Sequence, residues 1–209
     1  GIIIAGHKID DLDYHSYYIK SLFEKIYNIT PHLRIEKKVN TLNLEIWSKA
    51  IFKFHNQLGF PRGKKKNKIN LPRKIFDNKK LLKSFLRGFI DTDGSIMFQK
   101  KHKNIHYYPK INIELNDYKL ILNIKEMLSK LNFSYSFFSR FKKHWRNGKW
   151  HKSYCIDIYG VANLERWYKS IGSSNPKHAS KYLLWKKFGQ CPSRLTTPER
   201  LKLLEQEHL

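Results

Sequence analysis

Apolar and polar residues follow two periods along the chain, and the order of these periods repeats. Alternation with period two indicates strands, and apolar spacings of three and four indicate helices. The first half predicts a strand, a helix, two strands and a helix, at residues 2–5, 13–27, 33–38, 41–47 and 49–58. The same order recurs at residues 110–115, 117–131, 135–142, 153–159 and 162–171. The chain is therefore predicted to contain two copies of one α+β unit.

Side chains at matching places support this repeat. Asp13 and Asp117 each precede a predicted helix, where an aspartate suits the N-cap position. The strand sequence LEIW at 44–47 matches IDIY at 156–159 in its apolar and acidic alternation. We expect an N-terminal repeat over 1–76, a C-terminal repeat over 77–190 and a helical extension over 191–209. That extension should begin with Thr197 as the helix cap and Pro198 in the first turn.

The strand alternation separates two sheet faces. Ile111 and Ile113 should face the helices, while Lys110 and Asn112 should lie on the opposite, open face. The other polar or exposed positions predicted for the open faces are Met97, Gln99, Lys101, Tyr108, Arg140, Lys142, Arg34 and Lys38. An ordinary solvated face and a nucleic-acid-binding face both fit this pattern.

The charge of the chain favours the second of these interpretations. The 209 residues include 41 lysines and arginines against 17 acids, which gives a net charge of +24. Such a charge favours a nucleic acid as partner, with an anionic membrane surface second. No apolar run is long enough to cross a bilayer. The two cysteines, Cys155 and Cys191, suffice for neither a disulfide framework nor a thiolate zinc site, so we expect an intracellular protein.

A helix between the two repeats carries unusual residues. It is predicted to be helical from Leu81 to Ile90 and then to break at Asp91-Thr92-Asp93 before the next strand. Gly88 in its middle costs about 1 kcal/mol relative to alanine, and a second backbone approaching closely would explain it. The two acids stand at the end where the helix dipole is negative. A bound cation and a polar Asp-Gly turn both account for them.

Residues 86–94, LRGFIDTDG, resemble the LAGLIDADG motif of the homing endonucleases. The repeat and the basic charge strengthen this resemblance, which covers essentially the whole sequence. It implies two αββαββα repeats packed through their motif helices, with two antiparallel sheets forming a saddle for double-stranded DNA with a long target site. It also implies cleavage of both strands across the minor groove, with Asp93 as ligand of Mg²⁺, which Mn²⁺ or Ca²⁺ can replace.

The resemblance implies a lysine near the reacting water as well. Lys177 matches this lysine by position, and Lys64 is its counterpart in the first repeat, since the spacing of 113 between them equals that between Gly59 and Gly172. Lys64 also fits a run of phosphate contacts. We expect His178 to be a bystander.

A cationic and aromatic insert joins two strands of the second repeat. It contains the tight-turn sequence Asn147-Gly148, which predicts a long hairpin. These residue types suggest that its tip reaches DNA beside the site, and a solvated loop is the alternative. The residues concerned are Lys142, Lys143, Trp145, Arg146 and Lys149.

The sequence departs from a complete two-repeat enzyme because it shows one motif helix. The repeat offsets, 104 from Tyr14 to Tyr118 and 109 from Ile4 to Ile113, place the counterpart of Asp93 before Gly1. We expect the apolar face of Leu82, Phe85 and Phe89, together with Gly88, to be covered by a separate segment or a second chain. Three functions remain open: a site-specific DNA endonuclease, an intron RNA maturase, and a non-catalytic DNA-binding derivative.

Overall fold

The computed structural model describes residues 1–63, 66–143 and 148–206. The first repeat begins with strand β1 (Ile2–His7) and a π-helical turn (Tyr14–Ile19) that continues as helix α1 (Lys20–Tyr27). Strands β2 (His32–Ile35) and β3 (Thr41–Ile46) and helix α2 (Lys49–Gln57) complete it. A short helix, α3 (Arg73–Asp77), leads to the second repeat.

The second repeat opens with the motif helix α4 (Lys79–Asp93), followed by β4 (Gly94–Gln99), β5 (Tyr108–Leu115) and α5 (Tyr118–Lys130). It continues with β6 (Ser136–Lys143), β7 (Trp150–Tyr159) and α6 (Val161–Ser170). Helices α7 (Pro176–Phe188) and α8 (Thr197–Glu205) end the described chain. No described helix is long and apolar enough to cross a membrane.

Three strands of the second sheet, β5, β7 and β6, have the same order and register as the three strands of the first. Both are antiparallel, with strand orders β1-β3-β2 and β4-β5-β7-β6. Ile4 pairs with Leu44 in the first sheet, and Ile113 pairs with Ile156 in the second. This agrees with the offset of 109 predicted between Ile4 and Ile113. The fold is thus a repeated α+β architecture, in which β4 has no counterpart among the described strands.

The predicted division into two sheet faces is confirmed for the second repeat. Ile96, Phe98, Ile111 and Ile113 are buried in the larger core, which the helices cover. A second, smaller core lies in the first repeat around Tyr14, Leu44 and Ile46. The division of the chain at residues 76 and 190 stays a prediction.

One of the two predicted aspartate caps is wrong. Asp117 accepts a hydrogen bond from the backbone N–H of Leu120 at 2.9 Å, as an N-cap should. Asp13 has helical backbone angles and makes no capping hydrogen bond, since the preceding turn already bonds His15 N–H to the carbonyl of Asp11. A π-helical turn therefore replaces the regular helical start expected there.

Three predicted element ends also need correction. The motif helix does not break after Ile90 but continues through Asp93, because the N–H of Gly94 still bonds to the Ile90 carbonyl. Strand β2 ends at Ile35, which leaves Lys38 in the following turn. The cap of α8 is Thr196, whose N–H donates to the Glu199 carboxylate at 2.7 Å, and not Thr197.

The C-terminal extension packs onto both repeats. Thr197 donates its N–H and its hydroxyl to Asp10, in the loop after β1, at 2.7 and 2.9 Å. Arg200 is buried and donates to the Ser180 hydroxyl on α7 at 2.9 Å and to the Lys177 carbonyl at 3.2 Å. Helix α8 therefore fastens the first repeat to α7.

Candidate functional site

The open face of the second sheet collects most of the residues predicted to bind DNA. Strand pairing places Met97 beside Lys110, and Gln99 beside Tyr108, all on the face away from the helices. Lys101 lies just beyond the end of β4, where its Nζ is 4.3 Å from the centre of the Tyr108 ring. This face therefore offers amides, cations and aromatic rings in a fixed register.

Sequence reasoning missed the acids that hold these cations. Asp157 on β7 accepts from Asn112 Nδ2 at 2.6 Å, Lys110 Nζ at 3.1 Å and the Tyr159 hydroxyl at 2.8 Å. Burial would raise the pKa of Asp157, but these three donors hold it below its usual value. The alternation of apolar and polar residues along β7 places Asp157 on the same face as these cations, so the sequence contained a signal that could have identified it.

Glu114 organises a second group of side chains on the same face. Its carboxylate accepts from Arg140, from Lys142 Nζ at 2.7 Å and from the Ser153 hydroxyl at 2.7 Å. Against the opposing effect of burial, hydrogen bonds from Lys142, Ser153 and Arg140 lower the pKa of Glu114 to about 2. Arg140 and Lys142 do share one side of β6, as predicted, but each is already paired.

The first sheet shows the same arrangement on a smaller scale. Arg34 Nε lies 3.2 Å from the Glu45 carboxylate on β3, and its Nη2 lies 2.8 Å from Glu36. Lys38 stands apart from this group, exposed in the turn after β2.

The predicted hairpin insert is described in part. Lys142 and Lys143 are consecutive on β6, so their side chains leave opposite faces of the strand. Lys149 is exposed at the return of the hairpin. Trp145 and Arg146 lie outside the described residues, and so does Lys64.

The two acids of the motif helix have different surroundings. Asp91 is buried and accepts from the Ser173 hydroxyl and from the Ser174 N–H at 2.8 Å; burial raises its pKa despite these bonds. Asp93, two positions later and so on another side of the helix, is exposed. Its Oδ2 accepts from the Thr92 hydroxyl at 3.1 Å. Asp91 therefore joins α4 to the segment before α7, and Asp93 is the carboxylate open to a ligand.

Lys177 is held by an acid of the first repeat. Its Nζ lies 3.4 Å from Asp11 Oδ2, and Asn175 Nδ2 donates to Asp11 Oδ1 at 2.9 Å. Burial opposes ionisation of Asp11, but Asn175, the His7 N–H and Lys177 lower its pKa. In the part of the chain that the structure describes, no ion pair joins Lys177 to Asp93. The segment around Asn175 thus brings Lys177 to Asp11, a residue that sequence reasoning did not select.

His178 is a core residue. Its ring is buried, neither nitrogen has a hydrogen-bond partner among the described residues, and burial lowers its pKa to about 3. A histidine in such a place is neutral near pH 7 and unable to reach substrate, which agrees with the expected bystander role.

The expected cover over Gly88 is absent from the described chain. A Cβ built at Gly88 would meet no atom within 4 Å. Phe85, Gly88, Phe89 and Asp93 line a groove of about 840 Å³. Leu82 does not share this face; it is buried in the core. Within the described residues the motif helix thus presents an apolar groove that ends at an exposed carboxylate, and its cover by a separate segment or a second chain stays a prediction.

The described chain thus contains two antiparallel sheet units, and the helix between them ends at an acidic residue. Residues 80–172 match the sequence profile of the LAGLIDADG-like domain, so this part of the chain is similar to that family. The comparison with curated proteins found no match.

Solved structures share the fold at low identity. A structure of mesophilic variants of the homing endonuclease I-DmoI matches with a TM-score of 0.52 and 15% identity over 83% of this chain and 80% of that one. I-DmoI in complex with DNA and Mn gives 0.50 and 17% over 83% and 81%. The N-terminal LAGLIDADG domain of DUF199/WhiA gives 0.50 and 16% over 83% and 73%.

Proposed function

We propose that this chain binds double-stranded DNA site-specifically on the open faces of its two sheets, and that it serves as a homing-type endonuclease. The observation that carries the proposal is the continuity between the polar open face of β4 and β5 and the exposed carboxylate of Asp93, directly before β4. The similarity to I-DmoI, which has been solved with DNA and Mn, supports it.

The electrostatics of the chain suit this partner. A net charge of +24 supplies a strong attraction to phosphates that does not depend on sequence. Asn112 and Gln99 have the amide groups that pair with adenine, and Lys110 can donate to guanine. The open face thus has groups for both affinity and base recognition.

Asp93 fits a divalent cation in kind, because Mg²⁺ prefers carboxylate oxygens together with substrate phosphates. Such an ion, when bound, lowers the pKa of water and neutralises charge on the phosphate. The described residues contain no cluster of three ligating side chains, so Asp93 alone does not complete a site. We propose that a second acid comes from a separate segment or a second copy docked in the groove along Gly88.

A non-catalytic DNA-binding protein is the second candidate. Two observations favour it: a single exposed motif carboxylate, and the pairing of Lys177 with Asp11 away from Asp93. Both candidates require DNA binding, and they differ in cleavage.

The test begins with selection of a bound sequence from a duplex library with a randomised core. The selected duplex is then incubated with the chain and Mg²⁺, with and without a peptide carrying a second motif helix, and both binding and cleavage are measured. Under this proposal Asp93→Asn abolishes cleavage and changes affinity less than about threefold, because it removes a charge near phosphates. Asp77→Asn, at an exposed acid on α3, is the matched control and leaves both unchanged.

The outcomes separate the candidates. A chain that selects no duplex overturns both of them. Specific binding without cleavage, even after a peptide carrying a second motif helix is added, supports the non-catalytic candidate. Preference for RNA over duplex DNA in a competition assay points instead to the maturase function.

A further inference from the structure

The buried carboxylate of Asp157 occupies the centre of the open face of the second sheet. Strand β7 lies between β5 and β6, and Asp157 stands directly opposite Asn112. Its side chain is 3% exposed, although it lies on the side of the sheet away from the core. An acid in the middle of a cationic surface weakens the attraction to phosphate, so its presence calls for a specific role.

The donors around Asp157 fix the orientation of Asn112. A carboxylate that is ionised only accepts hydrogen bonds, so the side-chain NH₂ of Asn112, and not its oxygen, must face Asp157. The bond is short, at 2.6 Å from Asn112 Nδ2 to Asp157 Oδ1. One N–H and the amide oxygen of Asn112 are then left for another partner. These are the two groups that match N7 and N6 of adenine.

Lys110 is held by the same carboxylate. Its Nζ is 3.1 Å from Asp157 Oδ2, and its side chain is largely buried. The hydroxyl of Tyr159 also donates to Asp157, and this bond raises the pKa of Tyr159 to about 12. The phenol therefore keeps its proton and continues to act as a donor. Three donors from three residues are thus organised by one acid.

The first sheet has an acid at the equivalent place. Glu45 pairs across the sheet with Ile3 as Asp157 pairs with Asn112, and it too faces away from the core with a side chain only 8% exposed. Glu45 holds Arg34 at 3.2 Å. The recurrence of a buried acid with a bound cation at one register position in both repeats indicates a common role.

We propose that Asp157 is a positioning residue for base selectivity, which orients Asn112 and Lys110 toward base edges and disfavours phosphate at the centre of the sheet. The inference rests on the proposed DNA binding and adds the residue that tunes its specificity. Replacing the acid by an amide lets the Asn112 side chain turn over, because asparagine at 157 both donates and accepts.

The experiment is selection of bound duplexes from a library with a randomised core, followed by affinity measurements on selected and scrambled duplexes. Asp157→Asn is expected to lower discrimination at one or two adjoining base pairs by about tenfold or more, which is the usual value of one bidentate base contact. Affinity for the scrambled duplex is expected to rise, because a negative charge is removed. Glu165→Gln makes the same change of charge on α6, where Glu165 pairs with Lys186, and should alter neither.

A double-mutant comparison distinguishes positioning from a general loss of structure. Asn112→Ala should remove the preference at one base pair, and adding Asp157→Asn to it should change that base pair little further. Unchanged discrimination in Asp157→Asn, or an equal loss on both duplexes, overturns the inference while leaving the proposed function intact. If Asp157→Asn does not fold, unchanged preference in Asn112→Ala overturns it. A parent chain that selects no sequence overturns the proposed function itself.

Discussion

The two sheets have one register but different neighbours. In the second repeat, β5 lies between β7 and β4, and the motif helix leads directly into β4. In the first repeat, the equivalent strand β1 is an edge strand, with Ile3 54% exposed. Equivalent residues therefore have different burial: Ile113 is fully buried, and its counterpart Ile4 is partly exposed.

This difference shows which interactions belong to the repeat and which depend on its surroundings. The register and the buried acid on the central strand occur in both sheets, because each sheet makes them from its own strands. The larger core, the covered inner strand and the motif carboxylate occur in the second repeat. Among the described residues the larger buried apolar core therefore lies in the second repeat, whereas both repeats have an open sheet face.

The largest expected effect comes from shortening the two equivalent isoleucines. Ile113→Ala should lower the free energy of unfolding by about 2–5 kcal/mol, the usual range for a fully buried side chain. Ile4→Ala should cost less than half as much, because the site is partly exposed and can relax. Urea unfolding of the two variants measures the difference. Equal losses would mean that the two sheets are equally well packed, contrary to the comparison.

Each repeat contains a buried histidine, so the two repeats can also be compared through the pH dependence of the free energy of unfolding. The pKa of His178 is about 3 when folded against 6.5 for the free side chain, so the unfolded chain takes up the proton first as pH falls. The contribution of His178 to the free energy of unfolding is complete above about pH 6.5 and is lost progressively as the pH falls toward 3. His178→Leu should reduce the loss of unfolding free energy between about pH 6.5 and 4.5 by roughly 2–3 kcal/mol.

His15, in the first repeat, is the matched comparison. Burial lowers its pKa too, but its Nδ1 bonds to the Asp11 carbonyl at 2.9 Å, and this contact opposes the shift. His15→Leu should therefore flatten the pH dependence of unfolding less than His178→Leu. If His15→Leu flattened it more, the assignment of the acid sensitivity to the second repeat would be wrong.

The smallest effect concerns the two aspartates at the helix starts. Asp117→Ala should cost about 1 kcal/mol, or up to 2, because Asp117 accepts from Leu120 N–H and from Asn67 N–H. Asp13→Ala should change stability by less than about 0.5 kcal/mol, since it caps nothing. Thermal unfolding measures the stability lost in each variant. Equal losses in the two variants would mean that Asp13 also caps its helix.

The pattern of apolar and polar residues predicted much of this fold, because sheet faces and helix caps depend on residues that are close in sequence. The alternation of Ile111 and Ile113 with Lys110 and Asn112 identified a face, and Asp117 before an apolar helix identified a cap. The π-helical turn after Asp13 was not predictable from period or propensity, because the chain there is held by Asp11 and its tertiary contacts.

The site was less predictable, because its pairings join residues that are distant in sequence. The motif identified Asp93, but Lys110 with Asp157 and Lys177 with Asp11 depend on which strands and loops meet in space. The partner that would cover Gly88 could not be identified from the sequence for a related reason. A glycine in a helix indicates a place for close approach, and it does not say which chain supplies the partner.

The fastening of the C-terminal helix to the loop after β1 also affects when the protein reaches its final form during synthesis. Thr197 and Asp10 are 187 positions apart. At about 5–20 residues per second, a ribosome needs roughly 10–40 s to travel from one to the other. During that interval Asp10 lacks its partner, and the first repeat can be joined to α7 through α8 only after Thr197 has been synthesised. The earliest time at which this contact can form is therefore set by the pace of translation and not by diffusion of the chain.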